Sequence, residues 1–580
     1  MNAAALGPVL DELDAGRPYK ESLERLLLDL TLPEAEEWMQ WIKEGRGTWL
    51  LLLGEPGRAG RALVLGNAAS GTLVALGRAG FAVTAGDSSH DRLRFAAARQ
   101  RALAGAELGT LLLDPAAPLP LAGESFDLVV QETAAHPPAE LLRVARSEVV
   151  WIADNRLGYK QSSGRRADFR VPGPLEYLRR VLRPPRGERS LWGYRRALSA
   201  PGYGRARAFA LYAHSRDFAQ VVALDGPRPA LSIGPKEREN RLKLLGHRLG
   251  LFPVLAPSFA LLAARRGARR ESRLDRVLPE LARLTGEPCP AVEHLVATRG
   301  NTAVVHTAVP GADPDEPAGR WTLHVPWSPQ QEDQARQHLE RTRDIRRRFP
   351  ALPVPEPLHA GRVDGLYLTC ERRLGGLTAP QLAGDHGRMA RTYADVARAL
   401  AGLVVERAAV DETTFAELVG AKVALVARYA AEPRTVRALE RLRDEARERL
   451  LGRPLPRVLY HADLRSKHVQ VTPEGRLLGL LDWGSSEDSD LPYFDLLHLV
   501  VHERKQEAGL SAEEAWKLVR GRTGLRPSER AALDDYASRI ELDPEVCRVL
   551  ESIYPVLVGA MAEKNWDYSR PRWVARNFGL

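Results

Sequence analysis

Cysteine is nearly absent: Cys289, Cys370 and Cys547 are the only three in 580 residues. An odd, widely separated set suggests neither a disulfide framework nor a cysteine-based zinc site, and it fits a reduced, cytoplasmic setting. Long apolar runs are missing as well. The longest, residues 251–264, falls short of the ~20 residues that span a bilayer and is interrupted by Pro253 and Pro257. It reads as buried strands, with membrane-surface contact as the lesser alternative. The opening MNAAALGPVLDELDAG puts acids where a secretory signal needs a basic region and an apolar core, so no signal is expected.

The composition that remains is ordinary for a globular protein, 44% apolar and 27% charged, in a chain too long for one core. Two to four domains are expected. Lys and Arg number 83 against 74 Asp and Glu, a net charge of +9 carried mainly by Arg. Such a balance admits nucleic acid, anionic lipid or phosphate-bearing ligands, and equally reflects an Arg-rich genome composition; no nucleic-acid-binding motif stands out, so nucleic acid is the weaker reading. Nothing in the sequence sets the oligomeric state.

Residues 1–44 carry Leu and Trp at loosely helical spacing and are expected to form a helical cap on the neighbouring domain. Next, RALVLGNAASGTLVALGRAGFAVTAGD (61–87) reads as strand, small-residue turn, helix and second strand ending in an acid, half of a nucleotide-binding βαβ unit. Small residues such as Gly66 and Gly71 let a helix N-terminus approach a ligand, and Asp87 stands where an acid would take ribose hydroxyls. The segments at 111–114, LPLAGESFDLVVQE and SEVVWIADN continue the alternation. This order resembles the class I S-adenosylmethionine-dependent methyltransferases over residues 45–266. The resemblance implies S-adenosylmethionine as cofactor, with Gly66, Gly71, Asp87 and Asp114 around it. The chain departs from the family pattern at Val64, where an acid is usual, and at Asn67-Ala68-Ala69-Ser70 between the two glycines. The charged run RRGARRESRLDR (265–276) is expected to be solvated, within a linker at 267–284.

From residue 285 the texture changes. VEHLVATRGNTAVVHTAV reads as two strands joined by a tight turn at Gly300, RWTLHVPW as a third strand, and 329–349 as a helix with one charged face. Farther on, LYHADLRSKHVQVTPEGRLLGLLDWGSSEDSDLPYFDL (459–496) sets His461, Asp463, His468, Asp482 and Asp495 among short strand-like runs split by Pro473-Glu474-Gly475. Asp463 and Asp482 lie 19 residues apart (482 − 463) and converge if the strands form a hairpin. One could then serve as base and the other as metal ligand.

This second half resembles the aminoglycoside phosphotransferase family of the protein-kinase-like fold. HADLRSKH, LLDWG and YFDL follow that family's HGDLHxxN, IDW and DxA/DL series in order. The resemblance implies ATP and Mg²⁺ as cofactors and a small-molecule or glycan acceptor. It makes Asp463 the base, His461 a support of the loop, Asp482 the metal ligand and Asp495 a brace. Gly300 would cover phosphates, His324 occupies the position of the family's Lys, Glu340 (with Glu332 second) would be its helix partner, and Glu371 would begin the hinge. His468 stands where the family has a metal-binding Asn. The fold expected is multidomain α/β and α+β: a helical cap (1–44), a Rossmann-like methyltransferase sheet (45–266), a linker (267–284), and a bilobal kinase-like phosphotransferase with small lobe 285–375 and large lobe 376–580. The aromatic, Arg-rich tail is expected to pack on the large lobe. The function implied is a transferase joining phosphotransfer to methyl transfer. The alternative, raised by Val64, His324 and His468, is a catalytically impaired binding scaffold.

Overall fold

A computed structural model describes residues 6–30, 34, 38, 42, 46–54, 60–115, 117–132, 136–162, 169–184, 187–225, 238–267, 271–297, 302–311, 318–430, 432–510 and 512–562. The turn with Gly300 and the tail 563–580 lie outside the described residues. None of the described helices is long and apolar enough to cross a membrane.

The N-terminal half is built on strands β1 (Arg61–Leu65), β2 (Ala82–Asp87), β3 (Gly109–Leu112), β4 (Phe126–Gln131) and β5 (Ala145–Asp154), with the short pair β6 (Gln161–Ser162) and β7 (Phe169–Arg170) after them. Strands β8 (Arg207–His214), β9 (Asp217–Ala223) and β10 (Ser258–Ala264) complete it. β1 is parallel to β2 and β4, β4 to β5, and β2 to β3; β10 lies antiparallel between β5 and β8. The central strands are apolar on both faces, Leu63 to Leu65 and Val129 to Val130 being buried, as a sheet covered by helices on both sides requires.

The sheet does not stop at the end of this half. Strands β11 (Ala291–Ala297), β12 (Ala303–Ala308), β13 (Trp321–Val325), β14 (Glu356–Val363) and β15 (Leu366–Arg372) form the small lobe. β11 pairs antiparallel with β9, Leu295 opposite Val221 and Val296 opposite Gln220. The result is one 13-stranded sheet in the order β14-β15-β13-β12-β11-β9-β8-β10-β5-β4-β1-β2-β3. One apolar cluster follows it from Val64, Ile152 and Leu262 to Leu295, Leu323 and Cys370. Each otherwise open edge, β9 and β11, satisfies the other's backbone groups.

The segment expected to be a solvated linker contributes to this shared core. Arg273–Thr285 is a helix, started by a capping box between Ser272 and Asp275, that buries Leu274, Val277, Leu278, Leu281 and Ala282. Its charges are solvated while its apolar stripe, spaced i, i+3, i+4, i+7, i+8, is not.

The large lobe holds β16 (Leu377–Thr378), β17 (Val404–Ala409), β18 (Pro454–Tyr460), β19 (Val469–Val471), β20 (Leu477–Leu480) and β21 (Glu487–Asp490) in two three-stranded sheets among helices. β19 and β20 form the hairpin expected from the sequence, Val469 opposite Leu480. Its turn needs Gly475, whose φ is +86° and where a Cβ would lie 2.5 Å from the Arg388 carbonyl oxygen.

Leu295 and Val221 are both fully buried in the common core. Leu295→Ala is expected to cost about 2–5 kcal/mol and to lower the melting of both halves together in calorimetry. A small-lobe transition that moves while that of the N-terminal half stays fixed would contradict the shared core.

Candidate active site

The backbone of the 461–468 loop is set by a carboxylate behind it. Asp495, in the first turn of the helix Phe494–Ala508, accepts from the backbone N–H of His461 (2.7 Å) and of Ala462 (3.0 Å). Burial pushes Asp495 up to about 7, against the pull of those two donors. Ala462 takes φ +70° and Asp482 φ +64°, left-handed conformations that non-glycine residues rarely adopt and that the surrounding packing must hold.

Three ring contacts then order the histidines. His461 Nε2 donates to the Leu481 carbonyl (2.9 Å), and its Nδ1 accepts from Asp463 N (3.4 Å), which fixes the tautomer. The His461 ring packs against Trp483 at 4.5 Å between centroids and stacks on His468 at 5.9 Å. His468 Nδ1 faces the Asp463 carbonyl oxygen at 2.8 Å, and since a carbonyl only accepts, the ring donates there. Its Nε2 is then a bare lone pair, 3.4 Å from Asp482 Oδ2. Two acceptors face each other across a gap that suits a cation.

Electrostatics agree with that arrangement. Burial lowers His461 and His468 below the ordinary imidazole range, so both are neutral at pH 7. For Asp482, burial works upward, and the imidazoles of His468, His338, His461 and His324, which take up charge as the pH falls, outweigh it and hold the carboxyl low. Its side chain is 55% exposed, yet protein groups surround it, as expected of a wall residue in an open cleft. Asp463 is 22% exposed and pairs with Arg465 at 2.6 Å. Burial raises its pKa against the opposing pull of Arg465 and Lys467.

The remaining expected residues are placed less uniformly. His324, on β13, lies in the same cleft, and burial lowers it to about 4, so it offers no positive charge where the resemblance puts a Lys. Glu340 is on the exposed side of the helix Pro329–Arg348, and Glu332 pairs with Arg362 at 2.6 Å. Neither reaches His324. The helix residue that does is His338, with ring centroids 5.4 Å apart. It is two positions from Glu340, about 200° around a helix of 3.6 residues per turn. Glu371 is buried near the end of β15 and is 3.8 Å from His338 Nε2. His498 was not legible in the sequence. It sits one turn after Asp495, its Nε2 4.0 Å from Asp463 Oδ1 and its Nδ1 hydrogen-bonded with Tyr554 (2.9 Å). The i, i+3 spacing to Asp495 was its one available signal.

The N-terminal half gives a different result. Asp87, expected to take ribose hydroxyls, has its oxygens engaged by the N–H groups of Ala68 (3.2 Å) and Ser89 (3.0 Å) and by Arg92 (2.9 Å). The turn between Gly66 and Gly71 is closed from both sides. Glu132, at the end of β4, accepts from Ser70 and Thr72 hydroxyls (2.5 Å each) and from Asn67 (3.2 Å). Above it, Leu6, Leu10, Leu26, Trp38 and Ile42 of the helical cap pack on Ala69 and Phe95, and Arg99 donates to the carbonyls of Ala69 and Ile42. Gly66, at φ +88°, allows the turn, and Gly71 opens the helix behind it; Asp114 lies exposed past β3. Both Asp87 carboxylate oxygens and the Asn67, Ser70 and Thr72 side chains of the turn are engaged inside the protein. These residues do not fit that cofactor.

Residues 314–528 match the phosphotransferase enzyme family (APH). No curated protein matches the chain. Similar solved structures include a macrolide 2'-phosphotransferase type I, at 16% identity over 53% of this chain and 96% of that one, TM-score 0.34. An ADP-bound aminoglycoside phosphotransferase APH(2'')-Ib is 11% identical over 52% of this chain and 96% of its own, TM-score 0.35. APH(3'')-Id from Streptomyces rimosus ATCC10970, in complex with ADP and streptomycin, is 14% identical over 44% and 90%, TM-score 0.28. The phosphotransferase match includes β13, the helix that carries His338, and the whole 459–496 region.

Asp495→Ala leaves two loop N–H groups unpaired, each costing about 1–3 kcal/mol. The expected loss in denaturant unfolding is therefore roughly 2–6 kcal/mol, with Asp495→Asn losing less because its carbonyl oxygen still accepts.

Proposed function

We propose that the chain is a phosphotransferase that moves the γ-phosphate of ATP to a hydroxyl of a small molecule, sugar or glycan. Asp463 is the base, and Asp482 and His468 would hold the divalent cation, Mg²⁺, with the Asp482 carboxylate as its main ligand because Mg²⁺ prefers oxygen to the His468 imidazole. The observation that carries this reading is the single imidazole of His468, hydrogen-bonded at one nitrogen to the Asp463 carbonyl and facing Asp482 with the other. It holds the two carboxylate-bearing residues in one cleft at a fixed separation, and phosphoryl transfer is mainly a matter of such positioning and of charge neutralisation.

When bound, the nucleotide and its cation supply the phosphoryl group and neutralise its charge. Everything else falls to the chain. Asp463 takes the acceptor hydroxyl's proton on a carboxylate oxygen, and its raised pKa makes it a stronger proton acceptor than an ordinary aspartate. Arg465 aims that carboxylate, and the Asp495 hydrogen bonds stop the loop from drifting. Read this way, β13 and the helix Pro329–Arg348 of the small lobe form one wall of the cleft and the loop at 461–468 with the turn at 482–485 the other. In this reading the residues at 45–266 serve as a rigid platform for the small lobe rather than as a methyltransferase. The occupied Asp87 carboxylate and the buried Glu132 support that role.

Asp463→Asn is expected to reduce phosphate transfer from ATP by about 10²–10⁴-fold, read as coupled ADP release across a panel of hydroxylated acceptors, while nucleotide binding persists. Loss of binding and turnover together would instead assign Asp463 a structural role. In the wild type, kcat/KM is expected to fall on acidification, because Asp463 must be ionised to accept a proton. Since burial raises its pKa, the fall begins at a higher pH than the ordinary aspartate value of ~3.9 would give. A profile flat down to that value would contradict the assignment.

A further inference from the structure

The cleft contains a second donor set that phosphoryl transfer, as described, does not use. On the cleft face of the small lobe, His324 from β13, His338 from the helix Pro329–Arg348 and Glu371 from β15 bring one ligand atom each to within 4.8 Å of one another. Sheet register accounts for two of them. Thr322 pairs with Glu371 and His324 with Thr369, so His324 and Glu371 project from the same face, while Leu323 and Cys370 between them point into the apolar core.

We propose that His324, His338 and Glu371 bind a transition-metal ion of the zinc class as a resident site. The first argument is a buried carboxylate oxygen without a hydrogen-bond partner. The Glu371 side chain is only 8% exposed, and its Oε1 has no hydrogen-bond partner. A buried carboxylate oxygen without a donor is costly. Its nearest basic group is His338 Nε2 at 3.8 Å, beyond hydrogen-bond reach. A metal ion between them would satisfy both.

The second argument is orientation. The helix carrying His338 packs on the turn Trp483–Ser485, and the fit depends on Gly484: a Cβ there would lie 2.4 Å from His338 Nδ1. The ring is thereby pressed against glycine on its Nδ1 side and presents Nε2 to Glu371. Ligand orientation fixed by a neighbouring group is what metal-binding imidazoles show.

The donor chemistry narrows the ion. Two imidazoles and one carboxylate suit Zn²⁺ and its neighbours and disfavour Mg²⁺, which takes oxygen ligands. Bonds of about 2.0–2.2 Å in a tetrahedron separate ligand atoms by roughly 3.3 Å, so the trio closes by small side-chain rotations. Three protein ligands leave one position open, and Asp482 is the charged group facing both His324 and Glu371 from the large lobe. The site would then carry positive charge where the third strand of the small lobe lacks a Lys. That consequence rests on the phosphotransferase reading; the metal site itself does not.

The test uses the full chain, stripped with chelator and titrated with Zn²⁺ alone, without nucleotide or acceptor. One equivalent is expected to bind, with millimolar Mg²⁺ failing to displace it. His338→Gln and Glu371→Gln, with circular dichroism confirming the fold, should each weaken binding by about tenfold or more, Glu340→Gln on the exposed side of the same helix should leave it unchanged, and His468→Ala reports any binding at the His468–Asp482 pair instead. Co²⁺ bound to the wild type reads the geometry without any variant, and intense visible bands of a four-coordinate ion are expected. Absence of stoichiometric binding, octahedral Co²⁺ spectra, or an affinity that follows His468 rather than His338 and Glu371 would overturn the proposal. Because no step depends on turnover, an inactive enzyme that binds Zn²⁺ would sink the phosphotransferase reading and leave this one standing.

Discussion

The cleft is organised by one imidazole between two acceptors. His468 donates from Nδ1 to the Asp463 carbonyl and turns a bare Nε2 toward Asp482. Burial keeps the ring neutral, so Nε2 and the carboxylate face each other as two acceptors, the pair that would hold a cation in the proposed phosphotransferase. Much of the surrounding structure serves that geometry. The hairpin of β19 and β20 brings 463 and 482 into one cleft, Asp495 pins the loop from below, and Trp483 packs the neighbouring His461 ring. Left-handed backbone at Ala462 and Asp482 is the strain that this convergence carries.

The second constraint is the joining of two folds through a single sheet. A small lobe with an exposed edge at β11 would invite pairing with another chain, and so would β9 at the end of the N-terminal half. Pairing the two edges removes both hazards and merges the cores. It also fixes the small lobe relative to the N-terminal half. The N-terminal turn that resembles a cofactor loop is packed by the cap helices above and by Glu132 beneath.

Sequence reaches the parts of this structure that follow from local pattern. HADLRSKH and LLDWG predict the hairpin and the approach of their side chains, because strand, turn glycine and strand are each written locally in Val469 to Val471, Gly475 and Leu477 to Leu480. It fails where the answer depends on partners distant in sequence. Glu340 has the residue type of a helix partner for His324, but helix phase turns it to solvent and brings His338 inward instead. Asp87 has the right position and chemistry for a ribose, yet Arg92 and two backbone amides occupy it, which no spacing rule foretells. Charge dominates the run at 265–276 and masks the buried leucines that begin inside it at Leu274 and continue beyond. The pairing of β9 with β11, between residues some 75 apart (295 − 221 = 74), has no local signal at all.

The central claim is that a divalent cation sits between His468 and Asp482 in a nucleotide cleft. Crystals grown with Mn²⁺ and a non-hydrolysable ATP analogue test it most directly through anomalous scattering. The account predicts a manganese peak bridging His468 Nε2 and Asp482 Oδ2, with the analogue's terminal phosphate lying between it and Asp463. Nucleotide bound elsewhere, or a cleft that holds the analogue with no metal at Asp482, would contradict it.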